Sequence, residues 1–266
     1  MMRSANPTLK ASTFEQYRGA EHSTTMTVAG TVNKTFIMLL FLAASASFAW
    51  NLTDDWRVAA MAEAQEGAAV SSTGGNVVHP GILMVGGLIG GMIFAVVTIF
   101  KPSWSAVTAP LYAVFEGAFL GSLSALVELQ FPGIPFQATC LTFCTLGGLL
   151  AAYKSGLIKA TENFKLGLFA AMSGLMLIYL VTFIVALCGG GMPYIHDSGP
   201  IGIGFSLFVV VIAALNLVLD FDFIEQGADY GAPKYMEWYG AFGLMVTLVW
   251  LYVEFLRLLM KLNSRD

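Results

Sequence analysis

Seven mostly apolar stretches, each close to the length of a bilayer crossing, constrain this chain more than any other feature. They read as Thr35–Trp50 (extendable to Leu52), Gly81–Phe100, Ala106–Val127, Phe136–Tyr153, Leu166–Leu187, Ile201–Leu219 and Tyr235–Leu262. A helix needs about 20 such residues to cross the hydrocarbon core. Lipid offers no partner for a backbone amide, so runs of this length satisfy themselves as helices. Composition agrees: 57% hydrophobic and 11% charged residues lie far from the roughly 45–50% apolar and 25% charged of soluble domains. The expected architecture is all-α, a polytopic membrane protein built as a seven-transmembrane helix bundle with the last helix central.

Residues 1–32 form a polar tail, expected to be cytoplasmic, and residues 33–266 the seven-helix transmembrane domain. The first thirty residues carry Arg3, Lys10, Glu15, Arg18 and Glu21 without a 7–15-residue apolar core, so they do not read as a signal peptide. The first span then directs insertion. The polar segment Thr53–His79 reads as a short surface helix over Asp55–Gln65 followed by a flexible turn. With the N-terminus inside, the cytoplasmic segments hold Lys34, Lys101, Lys154, Lys159, Lys165 and Lys234 as well as the tail's basic residues, and the outer loops hold Arg57 alone. Arg257, Lys261 and Arg265 break this pattern unless the seventh helix is re-entrant. The expected location is the inner (plasma) membrane of a bacterium.

The formal net charge of -4 and scattered Lys and Arg supply no clustered basic face, so nucleic acid is not an expected partner. The bilayer is. Three cysteines in apolar runs do not make a disulfide framework; Cys140 and Cys144, at i, i+4 without an accompanying acid or His, read as buried small apolar residues. His79 and His196–Asp197 sit on one expected side, and a metal there would need two loops to meet. No calcium-loop spacing occurs, no cofactor is implied, and any calcium would be bound weakly in transit. Gly86/Gly90, Gly87/Gly91 and Gly117/Gly121 have the small-xxx-small spacing that lets helices approach closely. Trp50, Trp104, Trp238 and Tyr153 stand near span ends, as an aromatic belt would place them.

The acids are the residues that this pattern does not explain. A charge near the bilayer centre costs at least about 2.5–3.5 kcal/mol, so such residues are rare and usually functional. Glu254 lies within the last apolar stretch, and Asp220, with Asp222 beyond it, closes the sixth. On a helix Asn216 and Asp220 share a face, Asp222 points about 200° away from Asp220, and Thr247, Trp250, Glu254, Arg257 and Lys261 form one stripe. Three readings stay open. Asp220 and Glu254 face each other; or Asp220 and Asp222 merely end a helix at the interface; or Glu254 pairs with Arg257 on its own helix. Two carboxyls within hydrogen-bond reach in a low-dielectric site cannot easily both ionise, which would make such a pair a proton sensor. Glu116, within the third span, either lines the same path or is a buried, hydrogen-bonded carboxyl.

The N-terminal RSANPTL and MTVAGTVNKT, together with APLYAVFEGAFLGSLS, LDFDFIEQG and WLYVEFLRLL, resemble the Bax inhibitor family of membrane proteins, in particular its bacterial YccA-like branch. The likeness covers nearly the whole chain. It implies an acid near the end of the sixth helix and another in the seventh, forming a pH-sensing carboxyl latch over a central pore; by position in LDF and LYVEF these are Asp220 and Glu254. The implied activity is a pH-sensitive cation leak, calcium being the expected ion, with Asp222, Glu116, Arg257 and Asn216 in support. The YccA-like branch also implies an alternative, a non-conducting modulator that binds a membrane protease or another membrane partner.

An enzyme is not expected. No Gly-x-Ser-x-Gly, His-Glu-x-x-His or phosphate loop occurs. Two acids on neighbouring helices are formally an intramembrane aspartyl-protease arrangement, but a glutamate partner and the absence of a glycine-framed Asp context weigh against it.

Overall fold

A computed structural model describes residues 25–54, 56–58, 78–187 and 199–264. Among these residues the chain is helical with no strand: α1 (Val28–Leu52), α2 (Pro80–Phe100), α3 (Ser105–Gln130), α4 (Ile134–Lys154), α5 (Glu162–Leu187), α6 (Pro200–Asp229) and α7 (Met236–Asn263), with a single 3-10 turn at Pro102–Trp104. All seven helices are long and apolar enough to cross a membrane. At 1.5 Å per residue, the shortest, with 21 residues, covers about 32 Å, enough for the hydrocarbon core. The chain is an all-α, polytopic membrane protein. Residues 1–24 of the expected tail, the expected surface helix Asp55–Gln65 apart from residues 56–58, which are helical, and His196–Asp197 lie outside the described residues.

Several hydroxyls inside the spans find acceptors on their own helix. Thr35 donates to Thr31 O (2.9 Å), Thr98 to Phe94 O (2.7 Å), Ser122 to Ala118 O (2.8 Å) and Thr142 to Ala138 O (2.8 Å). This back-bonding lets a polar side chain sit in an apolar span without an unmet donor.

Two compact units share the chain. The first comprises Ala29–Pro135 and Tyr235–Met245, and so contains nearly all of α1, with α2, α3 and the start of α7. Its helices meet through glycine. A Cβ on Gly87 would lie 2.6 Å from Phe119 N, and those on Gly117 and Gly121 would run into the α1 backbone at Leu42 and Ala46. Gly90 receives the Phe115 ring and Gly91 the Glu116 carboxyl, whereas Gly86 faces open space. The spacing therefore predicts the close approach correctly at every position of the three pairs except Gly86. Gly121→Ala should lower stability by about 1–3 kcal/mol, because the obstructing atoms, Ala46 O, Cα and C, are all backbone and cannot rotate away. Gly86→Ala should be neutral; equal melting temperatures for the two variants in detergent would refute this packing.

The second unit comprises the described residues of Met1–Val28, Phe136–Lys234 and Val246–Asp266. Its core includes Leu168 of α5 with Ile212 and Leu219 of α6, covered by Phe164, Met172 and Trp250. Met26 N donates to Ala232 O (2.7 Å), fastening the segment ahead of α1 to the turn after α6.

Three sequence expectations are corrected here. The first span begins at Val28 rather than Thr35. The sixth does not stop at Leu219 but runs through LDFDFIEQG to Asp229. Phe221, Phe223 and Ile224 keep burying apolar surface beyond Asp220, and the charge on Asp222 is met by Lys165 Nζ at 2.8 Å, so the acids that lower local hydropathy do not end the helix. Cys140 and Cys144 are exposed on α4, on the face shared with Leu141 and Phe143, which in a membrane protein is a lipid-facing surface. Arg57 lies 4.5 Å from the Trp50 ring centroid and Lys101 4.4 Å from that of Trp104, each near a helix end.

Candidate functional site: the acids of the last two spans

Asp220 and Glu254 both belong to the second unit. Asp220 is 0% exposed and Glu254 2% exposed. Neither is a helix end. Leu217, Val218, Leu219 and Phe221, the neighbours of Asp220 in sequence, are buried, as are Leu251, Phe255 and Leu256 near Glu254. At 1.5 Å per residue, Asp220 stands about 14 Å from the end of α6, and Glu254 about 27 Å from the start of α7.

Glu254 is held by three donors. Arg257 Nη1, one turn on, donates to Oε1 at 2.8 Å and to Oε2 at 3.0 Å. Trp250 Nε1, one turn back, donates to Oε1 at 3.3 Å. From α5, the Tyr179 hydroxyl lies 3.5 Å from Oε1 and accepts from Arg257 Nη1 at 3.3 Å. The stripe of Trp250, Glu254 and Arg257 is thus assembled as the helical spacing places it, and of Glu254's two candidate partners it is the arginine that touches it. The Glu254 side chain is 3% exposed while that of Arg257 is 38% exposed. This is a buried carboxylate whose counter-charge reaches outward. A single guanidinium nitrogen spans both carboxylate oxygens, and arginine, always charged and weakly hydrated, suits a partly buried pair.

Asp222 turns to the other side of α6. Besides Lys165 it accepts from Gln226 Nε2 at 2.5 Å, and Tyr153 of α4 bonds Glu225 nearby. Asn216, one turn before Asp220, is 1% exposed, and its Nδ2 donates to Ile212 O at 2.9 Å. Glu116 belongs to the first unit, where its carboxyl is buried against Gly91 of α2. His79 caps α2, its Nδ1 accepting from Gly81 N at 3.0 Å. Among the described residues, no three His, Cys, Asp or Glu side chains gather as a metal site would require.

Some partners escape sequence reasoning. Tyr179 reads as one more aromatic in an apolar run, and Lys165 as one more basic residue at a span end. Glu237, in YMEW close to a span end, is fully buried and paired with Lys34 in the first unit. A charge within one turn of a span end looks interfacial on paper, and only packing shows that it is enclosed.

The last helix is continuous over 28 residues, so its length suffices for a full crossing. Of the basic residues that disturb the orientation pattern, Arg257 is committed to Glu254, and Lys261 is buried and donates to Gly202 O at 3.1 Å. No curated protein and no solved structure matches the chain significantly. The sequence model of the family described as Bax inhibitor 1 like matches residues 6–264. With that match spanning nearly the whole length, the chain belongs to the Bax inhibitor 1 like family of membrane proteins.

Proposed function

We propose that the protein is a pH-sensitive cation leak, calcium being the expected ion, in which Asp220 and Glu254 are the titrating acids and Arg257 holds Glu254 in one of its states. The observation that carries this reading is the burial of both carboxyls inside bilayer-length helices, where an ionisable group is costly and seldom retained without a task. Family membership supports the ion-leak reading. When Glu254 is ionised, Arg257, Trp250 and Tyr179 fix it; protonation removes the charge that the arginine grips, and the α5–α7 contact through Tyr179 loosens with it. Asp220 supplies a second buried carboxyl on α6, in the same unit. We place the N-terminus in the cytoplasm and the protein in a bacterial inner membrane, because Lys34, Lys101, Lys154, Lys159, Lys165 and Lys234 fall at helix ends and connections that alternate to one side.

The test is calcium entry into vesicles containing the purified protein and an internal dye, followed as the outer pH is stepped across neutrality. Wild type should conduct in a pH-dependent way. Glu254→Gln should flatten the pH response, and Asp220→Asn should alter both its amplitude and its midpoint. Flux that is absent in wild type, or unchanged in both variants, refutes the proposal.

A further inference from the structure

Arg257 meets the Glu254 carboxylate and the Tyr179 hydroxyl with one nitrogen. The three hydrogen bonds of its guanidinium, at 2.8, 3.0 and 3.3 Å, are all made by Nη1. Among the described residues Nε and Nη2 have no partner. The guanidinium is planar and its three nitrogens splay evenly from Cζ, so the edge formed by Nε and Nη2 faces directly away from Nη1. Such an edge is a fork that grips two oxygens of one carboxylate or phosphate side by side. Nη1 faces a carboxylate side chain that is 3% exposed, while the Arg257 side chain as a whole is 38% exposed. The open fork therefore faces out of the protein.

Depth along α7 decides what the fork meets. The helix has 28 residues, a length of about 42 Å against about 30 Å of hydrocarbon. Arg257 lies six residues before the final Asn263, about 9 Å short of the end. With the helix centred in the bilayer, its Cα stands about 3 Å inside the hydrocarbon boundary, a depth from which an arginine stem reaches the phosphate layer. Tyr179 is likewise eight residues short of Leu187, the end of α5, so the contact joins the two helices near their C-terminal ends. Met176 and Leu180 flank Tyr179 on α5 and are exposed, which gives an acyl chain a surface to lie on. Lys261, the next base on the stripe, is buried and turned to Gly202 O. A soluble anion would thus find one base beside an apolar wall, whereas a phosphodiester carrying chains matches both.

We propose that the Nε–Nη2 edge of Arg257 holds the phosphodiester of a phospholipid from the leaflet at the C-terminal end of α7, with its chains along α5. The lipid and Glu254 then share one guanidinium from opposite sides. The site does not depend on ion passage and is tested by binding. The full-length protein in detergent is melted with phosphatidylglycerol, with diacylglycerol of the same chains, or with inorganic phosphate.

Wild type should gain more melting temperature from phosphatidylglycerol than from diacylglycerol, and none from inorganic phosphate. Arg257→Lys keeps a charge for Glu254 but has no fork, so it should shrink the difference between the two lipids severalfold. Should that variant fail to fold, Arg257→Met combined with Glu254→Gln removes the guanidinium without stranding a carboxylate and should shrink the difference as far. Equal gains from the two lipids in wild type, or a difference undiminished in the variant that folds, overturns the site. A gain from inorganic phosphate equal to that from phosphatidylglycerol also overturns it, because the ligand is then a soluble anion. A lipid difference that obeys these substitutions while vesicles show no calcium flux upholds the site and sinks the conduction reading alone.

Discussion

Lys34→Met is expected to cost about 3–5 kcal/mol of stability, the loss typical of removing one partner from a buried ion pair. Lys34 is paired with Glu237, and the two side chains are 18% and 0% exposed. Glu237 stands in the first turn of α7, where the helix dipole favours its charge, and Lys34 also lies 5.6 Å from the Trp238 ring centroid. Gly30, one turn before Lys34, clears the space: a Cβ there would fall 2.5 Å from Glu237 Oε2. Without the lysine, a carboxylate enclosed by protein loses its counter-charge. The double variant Lys34→Met, Glu237→Met should recover most of the loss, because a well-packed apolar pair often matches a buried ion pair. Unfolding in detergent checks both. A single-variant loss below about 1 kcal/mol, the range of exposed pairs, would show that the pair contributes little.

Arg257→Met should have the second-largest effect, and it should act on function as well as stability. It leaves Glu254 with only the weaker neutral donors Trp250 and Tyr179, at 3.3 and 3.5 Å. An orphaned buried acceptor costs about 1–3 kcal/mol, more when charged. The outward exposure of Arg257 keeps the loss nearer that range than the Lys34 value, since water screens part of the attraction. Adding Glu254→Gln should restore stability, because a neutral amide needs no counter-charge, but should not restore the pH response of flux. The two readouts thus separate. A double variant as unstable as Arg257→Met alone would mean that the arginine acts through packing rather than charge.

The acids were legible in the sequence because charge inside an apolar run is conspicuous, and the Trp250–Glu254–Arg257 stripe because helical spacing is local. Which partner Glu254 takes was not legible. Asp220 and Arg257 were both offered, and the geometry places Arg257 against it, with Tyr179 joining from a helix 75 residues away in sequence. The extent of α6 was hidden for a related reason: Asp222 lowers hydropathy whether or not a lysine neutralises it, and Lys165 is supplied by another helix. The lipid-facing placement of Cys140 and Cys144 was missed because an apolar residue reads alike on a lipid-facing and a protein-facing side.

Sequence alone determined the seven spans, the glycine faces available for close packing and the presence of acids where lipid would penalise them. Each of these follows from the local chain and the thickness of a bilayer. Tertiary structure decided which glycines meet a backbone, which acid is matched by which base, and which edge of Arg257 is left facing outward. Those outcomes depend on groups brought together from distant helices, and in a bilayer the apolar pattern that places a helix in the membrane does not say which of its sides meets protein.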